Sequence, residues 1–128
     1  MIVCPGMPCI FYGTELPLDG ASDPDCRRTF DWTFAAQDRA YAEKFRRLLA
    51  LRRIRALQSG AFRVRAEQGL LIVERAGENE TVAAYFNRGG RRSGEIGGKV
   101  LFENRCEKSS GGTRVLQGGT LVAVKERT

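Results

Sequence analysis

The residues able to do chemistry are few in kind. The chain has no histidine, which removes imidazole bases, Ser-His-Asp triads and imidazole metal ligands. Its four cysteines, Cys4, Cys9, Cys26 and Cys106, show neither a C-x-x-C redox pair nor zinc-site spacing. They read as four reduced thiols, three of them in or near apolar or Gly/Pro segments where buried cysteine is common. Cys26 stands beside Arg27 and Arg28, cations that favour a thiolate. Asp23 and Arg27 lie four apart around Pro24. A turn there could aim both side chains at one ligand; taken alone, they read as an exposed ion pair contributing about 0–1 kcal/mol. Gly89-Gly90-Arg91-Arg92 has the residue types of an anion nest, but no phosphate-binding or dinucleotide fingerprint surrounds it, and it reads as a polar hairpin tip. Spacing alone yields no catalytic set, no metal site and no cofactor.

The frame that must position these residues is small. At 128 residues the chain is too short for a whole α/β barrel, which takes about 250. It is 42% hydrophobic and 28% charged, near the globular average. The net charge of +6 is concentrated in residues 38–55, which hold seven bases against two acids. Such a run can contact phosphates. Here its aromatics, Tyr41 and Phe45, fall on the apolar stripe, so the bases read as a solvated outer face and no nucleic-acid partner is expected. No run of about 18 apolar residues is present, so no membrane partner is expected. The first residues lack the basic start of a secretory signal, and the expected compartment is the cytoplasm.

Along the chain, residues 8–12 (PCIFY) form a short apolar run between Pro and Gly, the pattern of a strand buried on both faces. Residues 14–32 are a long connection with five acids and no period, a length usually tied either to function or to disorder. Phe30 and Trp32 argue for order in it, with Trp32 anchoring the loop. Residues 33–57 predict a helix, with Thr33 or Asp38 as N-cap and Phe34, Tyr41, Phe45, Leu48 and Leu49 on one face. Gly60 is the stop. Beyond it, apolar segments at 62–65, 70–75, 81–87, 99–102, 113–116 and 121–125 alternate with Gly-rich turns, which predicts an antiparallel sandwich. One buried-type strand and one helix cannot complete a parallel sheet, so residues 1–57 look like the last β/α unit of something larger.

Four strings carry a resemblance: PGMPCIFYGTE, DGASDPDCRRTFDW, KFRRLLALRR and GAFRV. Together they resemble the end of the catalytic domain of the α-amylase superfamily of glycoside hydrolases. DPDCR followed by F-x-W is most similar to the neopullulanase, cyclomaltodextrinase and maltogenic amylase branch. The fold this implies is a mixed α/β fragment followed by an all-β part: the last β/α unit of a (β/α)8 barrel, then a C-terminal antiparallel β-sandwich. Residues 1–59 would be the eighth strand, its loop and the eighth helix; residues 60–128 would be the sandwich.

The resemblance also implies roles. Asp23 and Arg27 match the family's Asp-x-x-x-Arg pair, which binds glucose hydroxyls on the non-reducing side of the scissile bond. Physical chemistry is consistent with that role, because a carboxylate accepts from adjacent hydroxyls while a neighbouring guanidinium donates to others. Glu15 matches a glutamate at the end of the eighth strand and would orient the loop. Cys26 would be packed and inert. The three catalytic carboxylates of the family lie upstream of the matching region, so no residue here is catalytic and the isolated chain is expected to be inactive. Expected partners are an α-glucan oligosaccharide and the upstream barrel portion of the same enzyme, with no cofactor and no metal. Because the strand at 8–12 would be unpaired, either self-association into a homo-oligomer or a rearranged N-terminus packed on the sandwich is expected. The competing reading is a stand-alone β-sandwich that binds a protein partner or a glycan. The aromatics of the β part, Phe62, Tyr85, Phe86 and Phe102, fall mostly at inward-facing positions, which favours a structural role.

Overall fold

The structure is a computed structural model and describes residues 1–16, 18–30, 32–35, 39–94, 96, 98–108 and 114–126. It divides into two compact units. One contains Met1–Gly6 together with Leu51–Thr128; the other is Met7–Ala50.

The larger unit is built on one six-stranded sheet in which every pairing is antiparallel. The strands are β1 (Ala61–Glu67), β2 (Leu70–Ala76), β3 (Glu80–Phe86), β4 (Arg91–Gly94), β5 (Lys99–Lys108) and β6 (Arg114–Glu126). Gln68 and Gly69 join β1 to β2, both at positive φ (51° and 79°). This is the two-residue turn whose twist suits a hairpin, and it fixes the register Glu67↔Leu70.

The order is β1-β2-β3-β6-β4, with β5 also paired to β6. β6 is long because it serves two sets of neighbours. Its first residues pair with β4 and the end of β5, and its last pair with β3 and the start of β5. Gly118 (φ 60°) and Gly119 sit at the changeover. A Cβ on Gly119 would collide with the carbonyl of Asn104 and lie 2.6 Å from that of Arg105. β5 answers with irregularities between Val100 and Phe102 and between Asn104 and Cys106, and such bulges bend a strand. The structure thus differs from the sequence expectation of two sheets. The described residues 114–116 of one expected segment and 121–125 of another belong to one strand, and β4 was not anticipated.

The core of this unit includes Leu57, Val82 and Ala84, fully buried, with Ala123 and Leu116 against Tyr85, Val100 and Cys106. Phe102 is buried, Tyr85 and Phe86 are partly covered, and Phe62 is 44% exposed. The predicted inward orientation therefore fails for Phe62.

The helical region is interrupted. Helix α1 is Trp32–Ala35, α2 is Arg39–Ala50 and α3 is Arg55–Ser59, with a 3-10 turn at Leu51–Arg53. Thr33 lies inside α1; Asp38, the other expected cap, lies outside the described residues. Ile54 is extended (φ −71°, ψ 125°) and breaks the predicted single helix. Its break lets Ala56 and Leu57 turn into the sheet unit, where both are buried. Gly60 ends α3 as expected, donating its N–H to Ala56 O at 2.9 Å. It must be glycine because a Cβ would meet Ala56 O and lie 2.9 Å from the Ala76 carbonyl.

Residues 8–12 form no strand, contrary to expectation. A parallel-type strand takes its hydrogen bonds from neighbours, and the described backbone bonds around this run are local turns. Phe11 and Tyr12 are 61% and 43% exposed. On α2 the predicted stripe Tyr41, Phe45, Leu48 and Leu49 is only partly covered, and the basic residues are exposed. The Phe34 side chain lies outside the described residues.

Candidate functional site

The Asp23–Arg27 segment is shaped by its own backbone. A 3-10 turn runs over Asp25–Arg27, entered by Asp25 N–H to Ser22 O and closed by Arg27 N–H to Pro24 O, both 2.9 Å. One tight turn brings the ends of a four-residue span together. Arg27 Nε donates to Asp23 Oδ1 at 2.9 Å, and Nη2 donates to the same oxygen at 2.5 Å and also to Oδ2. The structure therefore joins the two residues as a two-oxygen clamp. Their side chains are 61% and 66% exposed, so the pair faces solvent. In that setting it adds little stability. Arg28 and Asp25 make a second, looser pair at 3.9 Å.

The approach to this turn is held by backbone bonds. Gly13 has φ 85°, and Thr14 N–H to Phe11 O (3.2 Å) and Leu16 N–H to Gly13 O (3.1 Å) close successive turns. A Cβ at Gly13 would lie 2.5 Å from Leu18 Cδ1. Leu16 is buried, Tyr12 OH donates to Arg28 O at 2.9 Å, and Tyr41 OH donates to Thr14 O at 3.1 Å. Glu15 sits in this turn, partly exposed. Among the described residues no hydrogen bond joins it to Asp23 or Arg27, so the structure pairs those two and leaves Glu15 apart.

Chemically, a carboxylate and a guanidinium held together in solvent present unused acceptor lone pairs beside unused N–H donors. That combination suits a ligand whose groups both donate and accept. Trp32, with its ring 4.6 Å from that of Phe30 and 79% exposed, lies in the same unit. Its exposure differs from the loop-anchor role predicted for it. Cys4, Cys9 and Cys26 are free and exposed, and Cys106 is free and partly buried. The exposure of Cys26 corrects the expectation that it is packed. Burial pushes the Cys106 thiol pKa up.

Sequence reasoning passed over two residues that tie together segments of the larger unit. Arg52 donates to the carbonyls of Ile2, Cys4, Leu57 and Gly6 at 3.2, 3.2, 2.7 and 2.6 Å. Asn87, 4% exposed, donates Nδ2 to Gly90 O and Leu116 O and accepts from Gly89 N–H. An Asn followed by Gly residues is a signal for such a side-chain turn; nothing local marks Arg52.

Comparison with known proteins places this geometry in a family context. No family model matches the chain. It is 33% identical over 108 residues to neopullulanase 2 of Thermoactinomyces vulgaris, covering 77% of this chain and 18% of that protein. It is 37% identical over 87 residues to a cyclomaltodextrinase of Geobacillus thermopakistaniensis, covering 65% of this chain and 15% of the relative. The crystal structure of a maltogenic amylase from S. marinus superposes with a TM-score of 0.73 at 29% identity, over 96% of this chain and 18% of that one. A Nostoc punctiforme debranching enzyme shares the fold (TM-score 0.76, 24% identity). The chain is a relative of the cyclomaltodextrinases, maltogenic amylases and neopullulanases, and it matches a fragment of an α-amylase family glycoside hydrolase. Its antiparallel sheet resembles the C-terminal domain of those enzymes. It spans less than a fifth of the relatives' length.

Proposed function

We propose that these 128 residues work as the C-terminal portion of an α-glucan-acting glycoside hydrolase. On this reading residues 1–59 finish the (β/α)8 barrel and residues 60–128 are the antiparallel-sheet domain beside it. The observation that carries the reading is the match to neopullulanase 2 over 77% of the chain. The names of the relatives point to cyclomaltodextrins and maltodextrins as substrates.

Asp23 and Arg27 then grip a glucose unit, Asp23 accepting from hydroxyls and Arg27 donating to others. Their exposed, mutually bonded arrangement supports this, because the ligand finds donor and acceptor already placed. Glu15 orients the loop. Cleavage of the glycosidic bond comes from carboxylates of the upstream portion. Retaining hydrolysis needs two carboxyl groups about 5–5.5 Å apart across the bond, and the bonded Asp23 is committed to its arginine. The isolated chain is therefore inactive. It self-associates through the exposed Met7, Phe11 and Trp32. We place the enzyme in the cytoplasm. Three exposed reduced thiols suit a reducing compartment, and a Bacillus subtilis relative, 46% identical over 48 residues, is named an intracellular maltogenic amylase.

The test is a graft. The chain replaces the matching segment of the Geobacillus cyclomaltodextrinase, and cyclodextrin hydrolysis is measured beside the chain alone. Activity in the graft and none in the isolated chain is expected. Cleavage by the purified chain alone, or a folded graft with no activity, overturns the reading.

A further inference from the structure

Within the larger unit, helix α3 and the turn between β2 and β3 enclose a hollow of about 910 Å³, open to solvent on one side. Its floor is made of alanine and glycine, because the two elements nearly touch there. A Cβ on Gly77 would lie 3.2 Å from Ala56 Cβ, and one on Gly60 would lie 2.9 Å from the Ala76 carbonyl. Two hydrogen bonds fix the walls. Gly77 N–H donates to Glu80 O at 2.8 Å and shapes the turn. Ala56 N–H donates to Glu80 Oε1 at 3.3 Å and ties the helix to the strand. The hollow is therefore already formed, and a ligand need not order it.

The rim is polar and unused. Arg55 on α3 and Glu78 and Asn79 on the turn are exposed, and among the described residues their side chains make no hydrogen bond or ion pair. Gln58 donates Nε2 to Arg52 O at 2.8 Å, which leaves its carbonyl oxygen to accept. A guanidinium only donates, a carboxylate only accepts, and an amide does both. That inventory selects a ligand class. Glu78 and Glu80 beside one guanidinium disfavour a phosphate or other anion. Arg55 disfavours a cation, and no group of three metal-binding side chains occurs among the described residues. The lining has no apolar side chain larger than alanine, so a lipid tail or an aromatic ring finds nothing to pack on. A neutral ligand rich in hydroxyls fits, since every hydroxyl both donates and accepts. The volume lies toward the upper end of the range of about 300–1,000 Å³ for small-molecule sites, which is room for an oligosaccharide.

We propose that this hollow binds a neutral oligosaccharide, a segment of α-glucan, held by Arg55, Gln58, Glu78 and Asn79. Arg55 and the Asn79 amide donate to sugar oxygens, while Glu78 and Gln58 accept from sugar hydroxyls. The site shares no residue with the Asp23–Arg27 clamp. Its preference for a neutral sugar comes from its own lining; the choice of an α-glucan rests on the proposed function.

The test titrates maltohexaose into the 128-residue chain by calorimetry, beside Arg55→Ala, Asn79→Ala and Asp23→Ala. All of these positions are exposed, so the variants stay folded. Arg55→Ala should weaken binding by about tenfold or more and Asn79→Ala by about two- to tenfold, because a charged donor contributes more than a neutral one. Asp23→Ala should keep the hollow's affinity. Binding that falls with Asp23→Ala and is unchanged in Arg55→Ala and Asn79→Ala overturns the proposal and leaves the proposed function standing. No binding of maltohexaose also overturns it. Inorganic phosphate that binds more tightly than the sugar, and is lost in Arg55→Ala, overturns it in favour of an anion site. A folded, inactive graft instead counts against the proposed function, whatever the hollow binds.

Discussion

Replacing Arg52 by alanine should unlatch Met1–Gly6 from the segment that leads into the sheet. Arg52 Nη1 faces three carbonyls, Ile2, Cys4 and Leu57, with only two protons, so at most two bonds are well made at once. Nη2 adds the bond to Gly6 O at 2.6 Å. Hydrogen bonds from a charged donor contribute about 1.5–3 kcal/mol each. The two shortest, to Leu57 and Gly6, dominate. Freeing the arginine returns up to about 2 kcal/mol of side-chain entropy. The net loss for Arg52→Ala is about 1–4 kcal/mol. Arg52→Lys keeps the charge but loses the fork that reaches Leu57 and Gly6 together, and should lose about 1–2 kcal/mol. Arg53→Ala, at an exposed neighbour, stays within about 0.5 kcal/mol. Urea unfolding gives the three values, and hydrogen exchange reads residues 2–6. An Arg52→Ala protein within about 0.5 kcal/mol of its parent, or unchanged exchange at residues 2–6, refutes the latch.

Further consequences follow from packing and charge. Gly119→Ala forces a methyl against the carbonyls of Asn104 and Arg105, and backbone cannot yield, so unfolding midpoints should report a loss of about 1–3 kcal/mol or more. Alkylation at pH 8 should modify Cys4, Cys9 and Cys26 rapidly, and Cys106 slowly, because its thiol is partly covered and its pKa raised; equal rates at all four contradict the placement of β5. Tyr85 has its pKa raised above the ordinary 10.0, first by burial and then by the Glu74 carboxylate. The folded state therefore holds this proton more tightly than the unfolded one. Its contribution to stability is full below pH 10 and is lost as pH rises through the folded value. Tyr85→Phe should flatten that alkaline decline, measured by Tm against pH; an unchanged slope counts against the assignment.

What the sequence disclosed was what local pattern can encode. Segments 70–75 and 81–87 alternate or run apolar between glycines and are strands. Gly69 marks the tight turn, and Gly60 stops the helix. Pairing between distant segments left no such mark. The short β4, the fusion of two segments into β6, and the bulges in β5 all depend on which strands become neighbours. Ile54 continues the helical period, yet it is extended, because turning Ala56 and Leu57 into the sheet unit outweighs one more turn of helix. Residues 8–12 have a buried strand's composition, and among the described residues no strand pairs with them. At the candidate site the four-residue spacing of Asp23 and Arg27 around Pro24 was enough to foresee the clamp, because a single turn makes it. The clamp's meaning came only from resemblance: by its geometry alone it is an exposed ion pair.

The most direct measurement is kcat/KM of the cyclomaltodextrinase graft with Asp23→Ala. If this carboxylate accepts charge-assisted bonds from a bound glucose unit, its loss costs about 1.5–3 kcal/mol, a fall of roughly 10- to 150-fold. The graft should stay folded, since an exposed pair adds little stability. A folded Asp23→Ala graft with unchanged kcat/KM would show that this loop grips no substrate.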